Sequence, residues 1–110
     1  MKPLKDYNAF LQRFDNFINA EFRGIDIISP STMRMSLATQ DTSREFDWVT
    51  IHLELTGVSD ASLINNTQLT HVNMSEGISI TNKDDDIILK VNSSTLFVRC
   101  VNIKYEEGEF

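Results

Sequence analysis

Apolar positions in the first part of the chain recur at the spacing of a helix. They fall at Leu4, Tyr7, Phe10, Leu11, Phe14, Phe17 and Ile18, three or four residues apart in most steps, which gathers them on one face of a 3.6-residue period. This spacing predicts an amphipathic helix within residues 1–23. Pro3 suits a first helical turn, where its missing N–H costs no intrahelical bond, and Gly24 stands just past the end. Phe10, Phe14, Phe17 and Phe22 give the segment a large apolar surface to bury. The opposite face carries Gln12, Arg13, Asp15, Asn16 and Asn19, a mixture unlike the Lys/Arg-rich polar face of a membrane-surface helix, so the helix is read as packed on a core.

After Gly24 the period shortens to two. "IDIIS" (25–29) and "TMRMSLAT" (32–39) read as strands joined at "SPST", the second alternating Met33, Met35 and Leu37 with Arg34, Ser36 and Ala38. Gln40 to Arg44 is a polar loop. "FDWVTIHLELTG" (46–57) is the clearest strand, with Val49, Ile51, Leu53 and Leu55 on one side and Trp48, Thr50, His52 and Glu54 on the other. Residues 57–66 read as a connection, with a short helical turn or strand at Ala61 to Ile64. Beyond it, "LTHVNM" (69–74), "GISIT" (77–81), "IILKV" (87–91) and "LFVRCVNIKY" (96–105) are each bounded by Gly, Asn, Asp or Ser. No second segment is a helix long enough for a parallel crossover. The expectation is an α+β fold: one N-terminal amphipathic helix followed by about seven antiparallel strands forming a curved sheet, partial barrel or sandwich.

The final strand raises a question of cover. "LFVRCVNIKY" places Leu96, Val98 and Cys100 on one side and Phe97, Val101, Ile103 and Tyr105 on the other, the pattern of a strand buried on both faces. A helix of about 16 residues is roughly 24 Å long and covers two or three strands on one face only. Either the strands fold over one another, or a second copy of the chain covers the other face in a homodimer. Trp48, on the outward side of its strand, is a residue type enriched in interface cores.

Size and charge then narrow the classes. With 110 residues the chain is a single domain, 1–110, able to bury about two-thirds of the surface its unfolded form exposes. Cys100 has no second cysteine to pair with, and no amino-terminal stretch has the order of a secretory signal, so the expected location is the cytoplasm. No apolar run nears the roughly 20 residues that span a bilayer. The net charge of −6 is unevenly placed: residues 1–24 hold four basic and three acidic side chains, residues 25–110 six basic and thirteen acidic. Such a surface is wrong for phosphate backbones and anionic membranes, and it suits a basic protein partner; at the least it keeps a small domain soluble.

Candidate chemistry is sparse. Asp84, Asp85 and Asp86 are the densest charge, yet they sit between strand-like flanks where a hairpin turn belongs. They lack the alternate-position oxygens, central Gly and closing Glu of a calcium loop, which leaves only a weak cation site as the alternative. His52 and Glu54 share one strand face with Trp48 and Thr50. These four are the candidate binding residues. A carboxylate beside a histidine could serve as an acid/base pair, or, with His71, as zinc ligands, but the commoner reading is a half-exposed polar face. Cys100 lies in an apolar run and reads as a small core hydrophobe. Gly-rich phosphate loops, cysteine pairs and a Ser-centred elbow are all missing, and no catalytic residue, metal or cofactor is expected. Asn65, Asn73 and Asn92 each open an Asn-X-Ser/Thr triplet, read as turn chemistry.

The order "DWVTIHLELTGV", a short strand, "GISI", "IILKV" and "LFVRCVNIKYEEG" resembles the carboxy-terminal β portion of small bacterial immunity proteins of polymorphic toxin systems. It covers about the last 65 residues. Those families often carry a His-Asp pair near the start of their first strand, and "GIDIIS" has Asp26 without the His. The resemblance implies a binding protein that occludes a toxin and brings no catalytic residues with it. Two functions follow as expectations: an interaction module using its acidic surface against a protein partner, or a small-molecule-binding or enzymatic domain with a pocket between helix and sheet.

Overall fold

In a computed structural model, which describes residues 1–63, 72–92 and 96–108, the polypeptide is a two-sheet antiparallel sandwich closed at one end by a short helix. Strands β1 (Lys2–Pro3), β2 (Glu21–Ser29), β3 (Thr32–Asp41), β4 (Asp47–Thr56) and β9 (Asn102–Gly108) form a five-stranded sheet in the order β1-β9-β4-β3-β2. Strands β5 (Asp60–Ser62), β6 (Ile78–Lys83), β7 (Asp86–Val91) and β8 (Leu96–Cys100) form a four-stranded sheet in the order β5-β8-β7-β6. The α+β class and antiparallel pairing match the sequence reading. The count of about seven strands does not: the described residues form nine, divided between two sheets.

The helix is where periodicity misled most. Helix α1 runs only from Tyr7–Arg13, and Asp15–Phe17 follow as a single 3-10 turn. Both ends have local causes. Asp6 caps the start, its carboxylate accepting from the Ala9 N–H at 3.0 Å, because Lys2 and Pro3 are drawn into β1, paired with Tyr105 and Lys104 of β9. Past Phe14, the backbone of Asp15, Asn16 and Phe17 turns to positive φ, which no α-helix continues through. Phe22 and Gly24, assigned to the helix and its end, belong instead to β2, with a bulge between them. Seven residues are too few for a stable isolated helix, so packing must hold it. Phe10, Leu11, Phe14 and Phe17 are all buried, and the Phe10 ring lies 5.2 Å from Phe14, 5.8 Å from Phe17 and 4.9 Å from Tyr105 of β9.

Between the sheets the alternation predicted for β4 holds, with Val49, Ile51, Leu53 and Leu55 buried. They meet Met33, Met35 and Leu37 of β3 in one continuous core with Leu89 and Val91 of β7 and Val98 and Cys100 of β8. The segment read as one strand buried on both faces is two strands. Leu96, Val98 and Cys100 point inward from the four-stranded sheet; the chain crosses at Val101, which is 50% exposed, and Ile103 points inward from the five-stranded sheet. The crossing shifts the alternation by one residue, so apolar side chains accumulate on both sides of an apparent single strand. The second sheet thereby supplies the cover that the sequence left open.

The aspartates close a hairpin. Asp84 and Asp85 are its two turn residues, Asp84 at φ 57°, and Lys83 pairs with Asp86, the first residue of β7. The strand expected at 69–74 lies partly outside the described residues, and residues 72–74 are not in a strand. Asn92 ties this loop down: its side chain accepts from the Glu76 N–H at 3.0 Å and donates to the Asn73 carbonyl.

Candidate functional site

Strand β4 stands at the middle of the five-stranded sheet, so its outward face is flanked on both sides. Trp48, Thr50, His52 and Glu54 all lie on that face, as the period-two pattern requires. Register supplies what the sequence could not. His52 lies opposite Ser36 of β3 and Glu106 of β9; Glu54 lies opposite Arg34 and Lys104; Thr50 lies opposite Ala38 and Gly108. Solvent reaches the face, with Trp48 39% exposed and His52 and Glu54 half-buried.

His52 is held in place. Its Nδ1 is 2.7 Å from the Ser36 hydroxyl oxygen, and a side chain at Gly108 would come within 2.7 Å of its Nε2, so the ring lies over a position that only glycine leaves open. Arg34 donates from Nη2 to the Glu106 carboxylate, while its buried Nε finds no acceptor among the described residues. Glu54 makes no ion pair or hydrogen bond among them either, although Arg34 and Lys104 are its cross-strand neighbours. The face therefore combines an exposed indole, a hydroxyl–imidazole pair and a carboxylate without its own cation. No group of three or more His, Cys, Asp or Glu side chains that could hold a metal exists among the described residues. His71, the suggested third ligand, is outside the described residues.

Arg34 and Ser36 were legible as the polar side of an alternating strand, but only register shows them beside His52. Glu106 was missed because the last strand was read as ending at Tyr105; it continues to Gly108.

A second polar constellation lies on the inward side of the same sheet, at the helix end. Asp41 was read as part of a polar loop, yet it is fully buried at the end of β3. Arg13 donates from Nε to both Asp41 oxygens, at 3.1 and 3.2 Å, and from Nη2 to Oδ2 at 2.7 Å. Ser43 adds its N–H at 3.0 Å and its hydroxyl at 2.6 Å. These donors, the arginine first, hold the Asp41 pKa down to about 2 against the opposing effect of burial. Arg44 pairs with Glu107 of β9, and Thr42 donates to the Arg13 carbonyl at 2.8 Å. Cys100 is buried and its thiol is pushed up to about 11, chiefly by desolvation and then by Asp86, so it stays protonated and unreactive at neutral pH.

Shallow hollows flank the helix. One of about 340 Å³ is lined by Leu4, Ala9, Phe10, Arg13 and Tyr105, and it opens sideways to solvent instead of enclosing a ligand. Among the described residues no helix is long and apolar enough to cross a membrane. No family model, curated protein or solved structure matches the chain.

Proposed function

We propose that this protein is a binding module that docks a basic protein partner on the outer face of its five-stranded sheet, in the manner of the immunity proteins its strand order resembles. The observation that carries the reading is Glu54, half-buried near the end of the sheet's central strand with no ion pair among the described residues. A carboxylate so placed is partly desolvated and gains most when a partner's Lys or Arg completes it. Trp48, six residues and roughly 20 Å along the same strand, supplies a large amphipathic anchor at the other end of the face, and the net charge of −6 steers a cationic protein toward the molecule. His52 and Ser36 contribute fixed hydrogen-bonding groups, not a reaction.

The test is titration calorimetry against the product of a toxin-like reading frame beside the gene. Trp48→Glu and Glu54→Lys should each weaken binding at least about tenfold, while circular dichroism stays unchanged. Undiminished affinity in both variants would sink the reading. The competing function is a small-molecule site in the hollow at Phe10, Arg13 and Tyr105. A screen of metabolites and divalent ions that raises the melting temperature by several degrees would favour it.

A further inference from the structure

The open side of the sandwich, away from the helix, carries a different surface. Here the β2 edge of one sheet faces the β5 edge of the other, and a groove of about 320 Å³ runs between them. Met33 lies in its floor; Ile27, Val58 and Ala61 form its walls. Ile27 is 61% exposed, a large apolar side chain left to water at the mouth of an apolar groove, and Ile28 beside it is 60% exposed. An exposed apolar groove of this kind marks an interaction site.

Charge indicates what would occupy it. Asp60 lines the groove. Asp60 lies opposite Arg99 in the β5–β8 ladder, but Arg99 already donates from Nε to Asp86 at 2.6 Å and reaches Asp84 at 4.0 Å. One guanidinium thus answers to three carboxylates. Arg99 donates to Asp86 and feels the charges of Asp84 and Asp60 as well, so the single cation neutralises the group only in part and the surplus negative charge attracts an external cation.

We infer that this groove docks a cationic segment of another protein, which inserts one large apolar side chain between Ile27, Met33 and Val58 while flanking Lys or Arg residues meet Asp60 and the surplus carboxylates around Arg99. The site goes beyond the sheet-face reading, since it uses neither Trp48 nor Glu54. An anionic segment would be repelled by the same carboxylates.

The test uses a library of synthetic decapeptides, each with one Leu, Phe or Trp flanked by Lys or Arg on a Gly/Ser background, and matched peptides with Glu in place of the basic residues. The best basic binder should shift the backbone amides of Ile27, Val58 and Ala61 in nitrogen-edited NMR spectra, and its acidic counterpart should not. Ile27→Ser, at a solvent-exposed position, should weaken binding at least about fivefold, and Asp60→Asn about twofold to fivefold, the latter difference vanishing in high salt. Absence of any binder, equal binding of the acidic peptides, or full affinity in Ile27→Ser would overturn the inference. Shifts centred on Trp48 and His52 would also overturn it, while leaving the sheet-face function intact. Concentration-dependent shifts at Ile27 without peptide would assign the groove to a second copy of the chain.

Discussion

Two polar constellations share one sheet and differ in almost every physical respect. Around Asp41, a buried carboxylate receives five donor contacts from Arg13 and Ser43. Around His52, on the opposite face, Arg34 leaves its Nε without an acceptor and Glu54 has no ion pair among the described residues. In the first set the carboxylate is saturated, and its free energy goes into holding helix α1 against β3. The second is half-wet and incomplete, so losing a member costs the fold little and a partner can complete it. Saturation, more than residue type, separates the two constellations.

Changes at the helix end should be the most damaging. Phe14→Ala removes a side chain that is 1% exposed from the aromatic cluster, and denaturant unfolding should show a loss of about 3–5 kcal/mol. A loss below about 1 kcal/mol would mean that the helix is not anchored there. Asp41→Ala should cost about 2–3 kcal/mol, less than a fully buried pair because Arg13 keeps contact with water. Acid should reproduce part of that loss. The folded-state pKa of Asp41, about 2, lies below its unfolded value near 3.8, so its contribution is complete above about pH 4 and disappears as pH falls toward 2. The lost stability is on the order of 2 kcal/mol, and it should be missing from the pH profile of Asp41→Asn.

On the outer face the same experiments should read small numbers. Ser36→Ala breaks the bond to His52 at a half-exposed site and should cost under about 1 kcal/mol. Glu54→Gln should stay within about 0.5 kcal/mol. If Glu54→Gln destabilised the protein as much as Asp41→Ala, the division between the two constellations would collapse.

Strand β4 was readable because alternation is a local signal and a sheet with one face on the core preserves it from Val49 to Leu55. The helix was misread because Leu4, Phe17 and Phe22 are buried by other means, namely the loop after β1, a 3-10 turn and β2. Three different backbones placed apolar residues at intervals that mimic one helix. The crossing at Val101 was hidden for the converse reason, since two strands in different sheets make one uninterrupted apolar run. At the site, Trp48, Thr50, His52 and Glu54 were grouped correctly from spacing alone, whereas Ser36, Arg34 and Glu106 required register, which depends on pairing between distant segments. Asp41 carried no local signal, because a buried aspartate next to Thr42 and Ser43 reads like any polar turn until Arg13 is seen beside it.

The position of β9 constrains how the protein can be made. It enters the five-stranded sheet between β1 and β4, so the last described strand occupies an interior place and links the first strand to the rest. On the ribosome, β2, β3 and β4 can pair as soon as they emerge, but β4 keeps a bare hydrogen-bonding edge until residues 102–108 are available. Both β1 and the Phe10–Tyr105 contact wait for the same event. Completion of the sheet is therefore a late, long-range closure that sets the pace of folding, and a nascent chain stalled before residue 102 presents β4 as a template for aggregation.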